Sequence, residues 1–155
     1  MGGIKMKKLK LLAFSISPFI IGRLIDLAIY NLDWYGKILS IISILFCIYW
    51  YFVGYKSYDY AKSMKESILL GNCFSIISIA LALFQSLILG RFLLNIIGSF
   101  PQYFFLPMMR VSSWIDRILL FFIPFTSMTI LSVISFILMI IIYYAGYRKR
   151  LKGLR

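Results

Sequence analysis

The chain has 155 residues, of which 62% are hydrophobic and 14% charged, and its mean hydropathy is +0.92. A soluble domain of that length cannot hide so much apolar surface, so the composition argues against a water-soluble globule and makes lipid the expected solvent for most of the chain. A net charge of +12 would suggest nucleic acid in a soluble protein; beside membrane spans it records topology and attraction to anionic headgroups, and no nucleic-acid partner is expected.

Four apolar runs reach the roughly 17 to 25 residues that a helix needs to cross about 30 Å of hydrocarbon. They predict an all-α integral membrane protein, a four-helix transmembrane bundle forming a single domain over residues 1–155. The first run, Leu11 to Tyr30, follows basic residues as a secretory signal does, yet Arg23 and Asp26 come without a small-residue cleavage site. It therefore reads as an uncleaved first span. Pro18 should kink this helix and free the carbonyl of Phe14, with Ser15 or Ser17 near enough to compensate. Arg23 and Asp26 stand three apart, close to one face, and each charge costs about 2.5 to 3.5 kcal/mol on insertion scales. Such charges face a partner or a wet cavity, which makes this pair the leading candidate for an ion-pair or ligand site.

The second run, Ile38 to Tyr55, carries Ser40, Ser43, Cys47 and Gly54, which continue a helical stripe from Gly36 just before it, of the kind that lets membrane helices approach closely. After it, the loop from Lys56 to Glu66 interleaves aromatic and basic residues and reads as an interfacial loop. The third run, Ile68 to Leu89, adds a stripe of Gly71, Ser75, Ser78, Ala82 and Ser86, together with Gln85. The fourth span is placed at Phe125 to Tyr144, because Pro124 suits a first helical turn. It offers Thr129, Ser132 and Ser135.

Between the third and fourth runs lies a long connection, residues 91–117, interrupted by Asn95, Gly98, Pro101 and Pro107. A fifth span there would put the basic tail outside. The segment is therefore expected to be interfacial or re-entrant on the outer side, with Phe100, Tyr103, Phe104, Phe105 and Trp114 at headgroup level. Matching depths at about 1.5 Å per residue brings Gln85, Ser43, Thr129 and Ser132 to the outer half alongside Arg23 and Asp26. The six residues form the expected polar cluster, open toward the outside.

Orientation follows the basic residues, which are retained on the cytoplasmic side of span ends. Twelve fall in the proposed cytoplasmic segments and four in the outer ones, with Arg23 in the first span completing the 17. Both termini are accordingly expected in the cytoplasm, in a cell membrane of the bacterial cytoplasmic type, with anionic lipid at the cytoplasmic rim.

The chemistry is limited by residue types. There is no histidine, and the two cysteines, Cys47 and Cys73, lie in separate spans as small packing residues. Neither a Gly-rich phosphate loop nor a serine-nucleophile motif occurs. No catalytic residue, metal or cofactor is expected. The plan of four spans with a membrane carboxylate, Asp26, in the first resembles that of small proton-coupled multidrug transporters; Arg23 and the long outer segment depart from that pattern. The expected function is a non-enzymatic membrane component, an accessory subunit or immunity-type protein with a membrane-protein partner. The alternative is a small transporter or channel for an ion, amphiphile or lipid that uses the outer polar cluster.

Overall fold

A computed structural model describes residues 2–29, 35–93, 95–121 and 127–153. Among them no strand occurs, and the helices are α1 (Gly2–Ile29), α2 (Tyr35–Ser57), α3 (Met64–Gly71), α4 (Cys73–Leu83), α5 (Ile96–Phe105), α6 (Met109–Leu119) and α7 (Met128–Lys152). A π-helical turn, Phe84–Ile88, extends α4, and a 3-10 turn, Leu106–Met108, joins α5 to α6. Helices α1, α2 and α7 are long and apolar enough to cross a membrane. The arms α3 and α4 pass the same test only together, and they are bent by 54°.

Helix α1 runs through Pro18 without interruption, and the Phe14 carbonyl that proline leaves unpaired accepts from Ser17 Oγ at 2.7 Å. The same hydroxyl accepts from the Tyr49 phenol at 2.7 Å, tying α1 to α2. Both α1 and α7 outrun the expected spans, since hydropathy registers only their apolar parts. Helix α7 continues past Tyr144 to Lys152, where Lys149, Arg150 and Lys152 suit the negative end of its dipole. Its first turn begins at Met128 rather than Phe125. Ser127 is extended (φ −147°, ψ 158°) and caps the helix by accepting from the Ile130 N–H at 3.2 Å. Pro124, Phe125 and Thr126 lie outside the described residues.

The third run is not one straight helix as expected. At its break, the Ile68 carbonyl accepts from both the backbone N–H and the side-chain amide of Asn72, at 3.0 and 3.1 Å, which closes off the end of α3. Beside it, a side chain at Gly71 would run into the Tyr143 ring and hydroxyl. Ser63 caps α3 by accepting from the Glu66 N–H, and Glu66 Oε2 returns to accept from the Lys62 N–H at 2.8 Å.

Most of residues 91–117 is packed into the bundle rather than laid over its surface, which departs from the interfacial expectation and not from the re-entrant one. Helix α5 packs on α1 and α4, the 3-10 turn on α1 and α2, and α6 on α2 and α7. Phe104, Phe105 and Met108 are fully buried and belong to the central core with Phe46, Trp50, Val53, Ile79, Met139 and Tyr143. The entry is sterically prepared at Gly22, where any Cβ would collide with the backbone carbonyl of Tyr103. Trp114 alone of the five expected interfacial aromatics is exposed.

The α2–α7 pair forms the other half of the core, and its contact is backbone against backbone. A Cβ on Gly54 would meet the Tyr143 carbonyl, and one on Gly146 would meet that of Tyr51. The Trp50 indole N–H donates across this seam to the Met139 carbonyl at 3.0 Å. Ile20, Leu24, Ile41, Leu45, Ile137 and Ile141 point outward from the three long helices.

Candidate functional site

The Arg23–Asp26 pair forms as its spacing requires: Arg23 Nη1 donates to Asp26 Oδ2 at 3.0 Å and to the Tyr103 hydroxyl at 2.7 Å. The guanidinium carbon lies 4.8 Å from the centre of the Tyr103 ring, so α5 orients this side chain by a hydrogen bond and a ring face together. The pair is not sequestered, since 48% of the Arg23 side chain and 43% of the Asp26 side chain are exposed.

The remaining candidates do not converge on it as one polar site. Gln85 is buried and committed to the backbone of residues 91–98: it accepts from the Leu93 N–H at 2.8 Å and donates to the Gly98 carbonyl at 3.2 Å. The π turn that begins at Phe84 places Gln85 against this loop. Ser132 donates to the Met128 carbonyl of its own helix at 2.8 Å, Thr129 is half-buried in the same first turn, and Ser43 is fully buried on α2. Replacing Gln85 with alanine should therefore lower stability by about 1 to 3 kcal/mol, because it strands two backbone groups at once. Denaturation of the purified variant in detergent measures this, and a cost near zero would show that the loop holds itself.

A second polar seam, which sequence reasoning missed, joins α2, α6 and α7. Arg110 Nε donates to Ser40 Oγ at 3.1 Å, and the hydroxyls of Ser112 and Ser135 lie 2.7 Å apart. One turn beyond Ser112, Asp116 is 6% exposed, so the more buried carboxylate of the chain's described part is Asp116 and not Asp26. The available signal was the amphipathic pattern of residues 109–119, in which Ser112 and Asp116 share one face while Trp114 and Ile118 occupy another. That polar face turns inward, the reverse of its arrangement in a water-soluble bundle.

A third buried group lies beside the bend. Ser67 Oγ donates to Ser57 Oγ at 2.8 Å, Ser57 Oγ donates to the Gly54 carbonyl at 2.6 Å, and the Tyr143 hydroxyl donates to the Ser67 carbonyl at 2.9 Å. Close by, the start of α1 and the end of α7 share one end of the bundle. Lys8 pairs with Glu66 there, and Arg150 pairs with Asp59 at 3.4 Å. The Lys8 ammonium and the Lys62 N–H hold the Glu66 carboxyl below the usual carboxylate range, ahead of the apolar run that starts at Ile68.

Cys47 donates its thiol to Met108 Sδ at 3.7 Å, and among the described residues no cluster of His, Cys, Asp or Glu can hold a metal ion. The side chain best placed to meet a ligand is Arg23, which lines an open cleft of about 480 Å³ with Phe19, Ile96, Ser99 and Tyr103. No protein family, curated protein or solved structure matches this chain.

Proposed function

We propose that the chain is a non-enzymatic multipass membrane component, an accessory subunit or an immunity-type protein, with both termini on the cytoplasmic side of a cell membrane of the bacterial cytoplasmic type. The observation that carries this reading is the filling of the bundle. Its centre is closed by Phe104, Phe105, Met108 and Trp50, all fully buried. The buried polar groups Gln85, Ser67 and Tyr143 are engaged in holding helix to helix and loop to helix. Interhelical hydrogen bonds of this kind are how a scaffold in lipid joins its helices. The shared basic end, with Lys8, Lys62 and Arg150 around α3 and the preceding turn, supports the orientation and an attraction to anionic headgroups.

A second reading, a small transporter or channel for an ion, amphiphile or lipid, is favoured by the cleft beside Arg23. One experiment separates the two. In intact cells, an impermeant thiol reagent should label Arg91→Cys and not Lys62→Cys, both at exposed positions. From those membranes the tagged chain should co-purify with one membrane protein at fixed stoichiometry, and in proteoliposomes the chain alone should give no flux. Flux from the isolated chain, without a stoichiometric partner, would replace the first reading by the second.

A further inference from the structure

We propose that the Arg23 cleft and the groove beside it form one binding site for an anionic phospholipid, with the phosphate at Arg23 and an acyl chain along α4. The inference goes beyond the accessory reading and requires no transport. Two cavities carry it. The first is lined by Phe19, Arg23, Ile96, Ser99 and Tyr103. The second, of about 250 Å³, runs between α4 and α5 and is lined wholly by apolar side chains: Phe74, Ile77, Leu81, Ile96, Ile97 and Phe100. Ile96 belongs to both, so a polar head cleft continues into an apolar groove. That sequence of surfaces matches one amphiphile; a soluble anion has no use for the groove.

The charge decides the sign of the head. Arg23 lines the cleft and Asp26 does not. The guanidinium's bonds to Asp26 and Tyr103 both run through Nη1, which leaves its Nε edge outside these two contacts. A planar guanidinium held by a ring face and a phenol is pre-oriented for phosphate oxygens, and the Tyr103 hydroxyl, which accepts from Arg23, has its own proton to donate at the rim. Entry is lateral: Ile20, Leu24 and Leu27 beside Arg23, and Ile96 and Ile97 beside the groove, are all more than half exposed. An Arg–Asp pair on such a face would be costly against hydrocarbon alone, and a bound headgroup supplies the polar neighbour it needs.

The test uses the full chain in detergent micelles of an uncharged maltoside. Phosphatidylglycerol, glycerol phosphate without acyl chains, and diacylglycerol without phosphate are each titrated, and bound lipid is read by native mass spectrometry. Phosphatidylglycerol should bind at one site, with the other two at least about tenfold weaker, because each supplies half of the recognition. Arg23→Gln should weaken phosphatidylglycerol by about tenfold, the loss of a charge-assisted contact. Lys62→Gln, in the basic end, should leave that site unchanged. Asp26→Asn, which releases the guanidinium from its internal partner, should hold or strengthen binding, whereas a purely structural ion pair would show a loss in both variants. Equal binding of diacylglycerol, or a fall with Asp26→Asn matching that with Arg23→Gln, overturns the proposal. Partner capture is scored separately, so the accessory reading stands or falls on its own result.

Discussion

Valine in place of Gly54 or Gly146 should separate α2 from α7 and cost about 3 kcal/mol or more, the upper part of the range for overpacking. The obstacle at each position is a carbonyl of the facing helix, Tyr143 or Tyr51, and backbone cannot swing aside as a flexible side chain does. Moving the helices apart also breaks the Trp50 indole bond to the Met139 carbonyl and loosens the Tyr143 anchor on Ser67. Gly153 supplies the comparison. Its nearest heavy atoms to an added Cβ lie at 3.6 Å, so Gly153→Ala should stay within about 0.5 kcal/mol of wild type. Reversible unfolding in mixed micelles measures all three, and equal stability across the set would refute backbone contact as the basis of the seam.

Phe104→Ala should be nearly as damaging, at about 3 kcal/mol, the low end for a buried phenylalanine. The lower figure reflects the assay's apolar surroundings, in which the residue loses its packing contacts but little transfer energy. Phe104 is fully buried with its ring 5.4 Å from that of Phe105 and 6.0 Å from that of Phe100. Phe121, which is 89% exposed, should tolerate alanine with almost no change in the same assay. If the two substitutions behave alike, residues 91–117 form a cover and not part of the core.

These expectations mark where sequence reasoning ended. Long apolar runs identify α1, α2 and α7 because lipid-crossing length is a property of consecutive residues, legible without neighbours. The Pro18 repair was equally local, with the hydroxyl of Ser17 one residue before the proline whose freed carbonyl it reaches. Residues 91–117 were not legible in this way. Asn95, Gly98, Pro101 and Pro107 announce interruptions, yet whether an interrupted segment enters the bundle depends on Gly22, far away in sequence. Depth matching placed Gln85 level with Asp26 but says nothing about facing, and the π turn at Phe84–Ile88 sets the facing of Gln85. The burial of Asp116 was not legible for a related reason. Its polar neighbours Arg110, Ser112 and Arg117 resemble a solvated helix, and only the packed structure shows Ser112 and Asp116 turned inward.

The bend between α3 and α4 bears on how such a chain is delivered into a bilayer. Helix α3 has 8 residues and α4 has 11, about 12 and 17 Å at the usual rise, and neither bridges the hydrocarbon thickness alone. At the joint, the Phe74 N–H at the head of α4 is satisfied by Ser15 Oγ of α1 at 3.2 Å. Released singly from the translocation machinery, the broken segment would carry that donor into hydrocarbon without an acceptor, at a cost of several kcal/mol. With α1 already alongside, the acceptor waits at the right level. In a chain that enters a bilayer, α1 thus supplies from a distant part of the sequence the acceptor that the broken α3–α4 segment lacks by itself.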